Sequence, residues 1–111
     1  MVRPDSISLT CAFVVSGPPV SPGRPNRATE SHRVARDLGP RDITANVVEA
    51  GLMEGGMEGP GPETLKALVS SLSLQRMGHP DEIAAAIAFL SSPAASYVTG
   101  AVLDAHGGYN A

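Results

Sequence analysis

Several residue types are scarce in this sequence, and each shortage excludes a class of protein. The 111 residues contain no tryptophan, two phenylalanines and two tyrosines, so aliphatic side chains must fill most of any core. A single cysteine, Cys11, excludes an internal disulfide and gives no support to an oxidising compartment. No apolar run approaches the roughly 20 residues that span a bilayer. We therefore expect a cytoplasmic chain without a membrane partner.

Charge is also scarce. Asp, Glu, Lys and Arg make up 17% of the chain, and the formal net charge is −3. This balance excludes the broad cationic field that nucleic-acid binding usually requires, so we expect no nucleic-acid partner. With 42% hydrophobic residues, the sequence is also unlike a disordered tail, and its length allows one domain at most.

Glycine and proline are the residues in excess, with 12 and 10 copies, and they divide the chain into short segments. Apolar and β-branched runs predict three buried strands, at residues 6–15, 43–48 and 98–105. Apolar spacing and stop signals predict three helices, at residues 28–38, 63–74 and 80–92. The glycine- and proline-rich stretch 51–62 predicts a mobile loop. This order of elements indicates an α/β layer with parallel strands.

The helix predicted at residues 80–92 has the clearest signals. Pro80 suits the first helical position, and Asp81 and Glu82 place negative charge where the helix dipole is positive. Its isoleucine and leucine stripe is flanked by alanines and Phe89, so the helix is apolar on most of its perimeter. We therefore expect it to be covered on more than one side.

Residues 7–15 allow a second interpretation. A short apolar run after Arg3 also occurs in secretory signal peptides, and Val15 and Gly17 stand at tolerable cleavage positions. However, the preceding segment has a single arginine followed by Asp5, and the run has the composition of a strand. We interpret it as a strand.

A set of residues between positions 76 and 109 forms a pattern with characteristic spacing. Its members are Arg76, Gly78, Pro80, Glu82, Ile83, Ala84, Phe89, Leu90, Ser92, Tyr97, Thr99, Gly100, Gly107 and Gly108. In order and spacing they resemble the C-terminal end of the short-chain dehydrogenase/reductase family. The similarity extends over about residues 34–110, so we divide the chain into a divergent segment, 1–33, and a C-terminal subdomain of that family, 34–111.

The resemblance implies a partial doubly wound (Rossmann-like) parallel sheet of about three strands with flanking helices. It also implies NAD or NADP as the cofactor and a hydroxyl or carbonyl as the reacting group. The family's cofactor-side loop corresponds here to Ala50, Gly51, Met53 and Gly55, which are the predicted cofactor-binding residues. The family reads Pro-Gly-x-x-x-Thr at this point, so Ala50 and Gly55 replace a rigid turn and a hydroxyl.

Two chemical motifs of the family do not occur in these 111 residues. The glycine-rich turn that places a pyrophosphate at a helix N-terminus has no counterpart, because the glycines of 51–62 follow a later strand. The Tyr-x-x-x-Lys pair, in which the lysine lowers the pKa of the tyrosine, is also absent. Tyr97 is followed at that spacing by Ala101, and Lys66 is preceded by Pro62. No catalytic residue is predicted.

The remaining candidate residues have plain structural interpretations. Cys11 could stand at the family's catalytic-serine position, but a lone cysteine in an apolar strand is more often a core residue. Metal-ligating residue types occur at His79, Asp81, Glu82 and His106. Since acids at a helix start usually serve the dipole, we predict no metal site. Arg76 and Tyr97 are predicted to fix loops.

Three functions are compatible with the sequence. The chain could be a truncated or degenerate NAD(P)-dependent oxidoreductase that needs the missing half from elsewhere, a non-catalytic interaction module, or a gene fragment without a selected function. In the family, the last strand and the helix before it commonly build the subunit interface. We therefore expect self-association through these two elements, or a partly unfolded chain when it is alone.

Overall fold

The computed structural model describes residues 9–16, 27–55 and 61–109, with only the backbone given for 9–16 and for 27. Its elements in chain order are β1 (Leu9–Ser16), α1 (Arg27–Leu38), β2 (Ile43–Ala50), α2 (Pro62–Ser71), α3 (Pro80–Leu90) and β3 (Val102–Ala105). Single 3-10 turns lie at Gly39–Arg41 and Pro93–Ala95. The predicted order of strands and helices is confirmed.

The strands form one parallel sheet in the order β1-β2-β3. The β1–β2 register runs from Leu9 opposite Ile43 to Ser16 opposite Ala50, and Ala50 also lies opposite Ala105 of β3. Parallel strands need crossover connections, which α1 supplies for the first pair and α2 and α3 supply for the second. The carboxyl ends of the strands therefore meet at one edge of the sheet, where ligands bind in open α/β folds.

β2 is the most buried element. Consecutive residues of this strand are buried, from Thr44 to Val48 and again at Ala50, so both faces of the strand are covered. Helices α1 and α3 both pack against it. The sheet is therefore the partial Rossmann-like layer that the sequence predicts, with its core around the central strand.

The segment 98–101 departs from the predicted strand. Gly100 has a φ of +71°, a conformation that L side chains rarely adopt, so the chain bends before β3 begins. The side chain of Asn46, which is fully buried, donates to the carbonyl of Val98 at 3.0 Å and accepts from the N–H of Ala101 at 3.0 Å. The side chain of Asn46 thus adds to the backbone hydrogen bonds that join this segment to β2, from Gly100 N–H to Ala45 and from Val47 N–H to Ala101.

Two further side chains complete this arrangement. Thr99 accepts from the N–H of Ala45 through Oγ1 at 3.1 Å, and buried Ser31 of α1 donates to the carbonyl of Ala101 at 3.0 Å. We call Ser31, Asn46 and Thr99 the polar clamp. It attaches segment 98–101 to β2 and to α1.

α3 is less covered than the sequence predicts. Within this helix only Leu90 is buried, and Ala85, Ala88 and Phe89 are exposed, with Phe89 at 49%. The expectation that the helix is covered on more than one side does not hold within the single chain. No helix among the described residues is long and apolar enough to cross a bilayer.

Candidate cofactor loop

The residues after β2 leave the sheet at the edge where its strands end. We call residues 51–55 the β2 loop. It follows Ala50, the buried last residue of β2, and contains Gly51, Met53 and Gly55. The fold thus brings the predicted cofactor-binding residues to the ligand-binding edge of the sheet, while their contact with a cofactor stays a prediction.

Gly51 is held under the end of β3. Its N–H donates to the carbonyl of Ala105 at 3.1 Å. A Cβ at this position would lie 2.6 Å from both Cα and Cβ of His106. Since real Cβ atoms do not approach so closely, the loop can lie this near the end of β3 only with glycine here.

The turn 76–79 holds the next part of the β2 loop. The N–H of Gly78 donates to the carbonyl of Leu52 at 2.9 Å, and the N–H of Glu54 donates to the carbonyl of Gly78 at 2.9 Å. Met53 and Gly78 are therefore paired as in a parallel sheet. The expected mobile loop over 51–62 does not hold for its first part, which backbone hydrogen bonds attach to the turn. Residues 56–60 lie outside the described residues.

An ion pair fixes this turn to the start of α3. Arg76 donates from Nη1 to Oε1 of Glu82 at 2.8 Å and from Nη2 to Oε2 at 2.9 Å, and Oε1 also accepts from the N–H of His79 at 3.0 Å. The hydrogen bonds from Arg76, and after them the one from His79, lower the pKa of Glu82 to about 2. Hydrogen bonding to Glu82 likewise raises the pKa of Arg76.

The two residues predicted to fix loops behave differently. Arg76 does so through Glu82, as the sequence predicts. The prediction is wrong for Tyr97, whose side chain is fully exposed. For Cys11 the structure describes the backbone alone, opposite Ala45, so the prediction about its side chain lies outside the described part.

Two of the three histidines, His79 and His106, lie close to acids. Nε2 of His79 lies 3.3 Å from Oε2 of Glu54, and Nε2 of His106 lies 3.7 Å from Oδ2 of Asp104. Nδ1 of His106 accepts from the N–H of Tyr109 at 3.0 Å. In ranges 9–16, 27–55 and 61–109, no cluster of three or more His, Cys, Asp or Glu could hold a metal.

Two cavities open beside the β2 loop. One of about 300 Å³ is lined by Glu49, Ala50, Gly51, Leu52, Leu68, His106 and Tyr109. The other, of about 600 Å³, lies between the β2 loop, the turn 76–79, the start of α3 and residues 104–108. Ala50 and Gly51 face the first, Met53 faces the second, and Gly55 lines neither. Leu68 also lines the first cavity and was not among the predicted site residues, although the helix that carries it was predicted at residues 63–74.

A parallel sheet with a glycine-containing loop at its carboxyl edge defines a protein of the Rossmann-like class. A family model described as enoyl-(acyl carrier protein) reductase matches residues 29–110. The chain is 41% identical over 76 residues to a 3-oxoacyl-(acyl-carrier-protein) reductase of Pseudomonas aeruginosa, a match that covers 68% of this chain and 31% of that enzyme.

Solved structures give the same result. A short-chain dehydrogenase/reductase from Serratia marcescens superposes with a TM-score of 0.70 at 38% identity, covering 76% of this chain and 34% of that one. A blue fluorescent protein from a metagenomic library, in complex with NADPH, gives 0.69 at 43% identity, with the same coverage of both chains. This chain belongs to the short-chain dehydrogenase/reductase family, and it spans about a third of the length of these relatives.

Proposed function

We propose that the chain supplies the C-terminal part of an NAD(P)-dependent oxidoreductase, with the β2 loop as the wall beside the nicotinamide. The observation that carries the proposal is the position of this loop. Gly51 lies against His106 and Met53 is paired with Gly78, which places both residues at the carboxyl edge of a parallel sheet. The relative in complex with NADPH supports a dinucleotide as the cofactor.

The residues present fit one end of that cofactor. The cavity of about 300 Å³ beside Ala50, Gly51 and Leu52 is apolar in most of its lining and has room for a flat ring. No glycine-rich turn for the phosphates occurs in the 111 residues. A nicotinamide held there would supply the chemistry of hydride transfer. The chain's own contribution is to orient the ring and to exclude water from one side of it.

Proton transfer has to come from elsewhere, because the tyrosine–lysine pair is absent from these residues. Loss of general acid/base catalysis alone typically lowers a rate by about 10²–10⁴-fold. We therefore expect no turnover by the chain alone, and a dissociation constant for the dinucleotide above about 1 mM. The proposal also includes a cytoplasmic location, which the single cysteine supports.

Complementation tests this function. The chain is mixed with the Pseudomonas aeruginosa reductase truncated before its matched third, and oxidation of NADPH by a 3-oxoacyl thioester is followed. We expect activity from the mixture and none from either part. The matched variants are Gly51→Ala, which should abolish the recovery, and Gly39→Ala, which should not, because a Cβ at Gly39 meets nothing within 4 Å. No recovery with the unaltered chain, or micromolar NADPH binding by the chain alone, would contradict the proposal.

A second candidate function is self-association through α3 and β3. It is supported by the exposed Ala85, Ala88 and Phe89 of α3 and by the place of β3 at the end of the strand order. Burying apolar surface contributes about 25 cal/mol per Å², so the binding of a second copy to this face would be favourable. Free N–H and C=O groups at a sheet edge also favour association.

Sedimentation at micromolar concentration tests this candidate. We expect association of the unaltered chain and its loss in Ala88→Glu. The matched control is Ala67→Glu on the exposed side of α2, which should leave association unchanged. A chain that sediments as a monomer, with well-protected amides and sharp unfolding, would reject self-association.

A further inference from the structure

The position of the β2 loop depends on side chains outside the loop. Two backbone hydrogen bonds hold Leu52 and Glu54, and both join these residues to Gly78. Gly78 lies in the turn between Arg76 and the start of α3, so whatever fixes this turn also fixes the loop. Two side chains do so, those of Arg76 and Glu82.

Glu82 is suited to hold the turn because its carboxylate joins three donors. It accepts both guanidinium N–H groups of Arg76 and the backbone N–H of His79. Paired N–H···O bonds between a guanidinium and a carboxylate restrict orientation as well as distance. Glu82 itself stands in the first turn of α3, a helix that is anchored to the core through Leu90. The core therefore fixes α3 through Leu90, and α3 fixes the turn through Glu82.

The next step runs from the turn to the loop. Gly78 both donates to and accepts from the loop backbone, and His79 lies 3.3 Å from Glu54 through their side chains. A Cβ at Gly78 would lie 2.9 Å from Sδ of Met53, so the two segments are in close contact. A change in the turn would thus shift Met53.

We propose that Arg76 and Glu82 are positioning residues for the β2 loop: their ion pair sets the backbone of the turn 76–79, and Gly78 transmits that position to Met53. This proposal rests on the proposed function only where it assigns the β2 loop a role in cofactor binding. Both side chains are half exposed, at 50% and 49%, so their pair has a small effect on global stability and acts on local geometry.

Amide hydrogen exchange on the full chain tests the proposal without a cofactor. In Glu82→Gln and in Arg76→Met, we expect the amides of Gly78 and Glu54 to exchange at least about tenfold faster than in the unaltered chain. Arg76→Lys should restore part of the protection, because lysine keeps the charge but not the paired hydrogen bonds. The amide of Val47, which is bonded to Ala101, should be unchanged.

The matched control is Asp81→Asn, which also removes a charge from the first turn of α3 but leaves Arg76 and Glu82 paired. It should not affect the two reporter amides. Unprotected Gly78 and Glu54 amides in the unaltered chain would overturn the proposal. So would exchange in Glu82→Gln that matches Asp81→Asn, or an equal acceleration at Val47, because that would indicate global destabilisation.

The complementation assay separates this proposal from the proposed function. In active mixtures, Glu82→Gln should raise the KM for NADPH by about tenfold with a smaller change in kcat, since a displaced loop weakens cofactor binding first. A drop in kcat with an unchanged KM would overturn the positioning role. Absence of activity in every mixture, with the exchange effect intact, would instead reject the oxidoreductase function and leave the positioning role supported.

Discussion

Two irregular segments are each held by hydrogen bonds from side chains, but in different surroundings. Segment 98–101 is held by the polar clamp, whose Asn46 and Ser31 are buried. The turn 76–79 is held by Arg76 and Glu82, which are half exposed. We expect burial to decide what each attachment contributes: the buried one should contribute to the stability of the whole fold, and the exposed one to the local position of the β2 loop.

The physical reason is the fate of a broken hydrogen bond. When a partner is removed in the interior, the remaining N–H or C=O group is left without water, at a cost of about 1–3 kcal/mol per group. When an exposed ion pair is broken, water solvates both ends, and the loss of stability is small. The four predictions below run from the largest expected effect to the smallest, and those for Asn46, Ser31 and Glu82 test this difference.

Asn46→Ala should have the largest effect. It leaves the carbonyl of Val98 and the N–H of Ala101 without their buried partner, so we expect the free energy of unfolding to fall by about 3 kcal/mol. Urea unfolding at fixed protein concentration measures the change. The control is Ser70→Ala, because Ser70 is exposed and bonds only within its own helix. Equal stability of the two variants would contradict the role of the clamp.

Gly51→Ala should have the next largest effect. Its Cβ would meet the backbone and the Cβ of His106 at 2.6 Å, and relief of such overlap costs about 1–3 kcal/mol. The same unfolding measurement applies, with faster exchange of the Gly51 amide as a local reporter. In Gly39→Ala we expect almost no change. If Gly51→Ala were equally harmless, the close contact with His106 would be disproved.

Ser31→Ala should have a moderate effect. It removes one of the two donors to the carbonyl of Ala101, the other being the N–H of Val47, and a single neutral hydrogen bond contributes about 1 kcal/mol. Thermal unfolding compared with Ser71→Ala on exposed α2 measures it. A loss of stability as large as that of Asn46→Ala would contradict the assignment of a single hydrogen bond to Ser31.

The smallest effect concerns pH. Because the folded-state pKa of Glu82 is lowered from 4.5 to about 2, its pair with Arg76 contributes fully above the ordinary value. This contribution is lost as the pH falls through the folded value. The stability difference between the unaltered chain and Glu82→Gln should therefore be constant at neutral pH and disappear towards pH 2. A difference that grows on acidification would contradict the pairing.

Much of the fold could be predicted because its signals are local. Proline and glycine separated the elements, and the apolar run over residues 43–48 predicted the central strand β2. The start of β3 was placed too early, since Val98 and Thr99 have strand composition while the positive φ of Gly100 and the bonds to Asn46 depend on tertiary structure. Local pattern does not contain that information.

The site was predictable only in part for a related reason. The family pattern located Gly51 and Met53 in a loop after a strand, and the fold brings both to the sheet edge. The pattern could not show that His106 lies against Gly51, or that Gly78 pairs with Met53, because these contacts join segments distant in sequence. It also gave no reason to expect that Tyr97 would be exposed.

The sequence separation within the polar clamp has a consequence for the rate of folding. The partners of Asn46 come 52 and 55 residues after it, and Ser31 and its partner are 70 residues apart. Such distant contacts lose loop-closure entropy before they gain any hydrogen bond, and folding slows as contact order rises. During that interval the amide of Asn46 has only water as a partner. We therefore expect the clamp to form late in folding, after the contacts between elements that are closer in sequence.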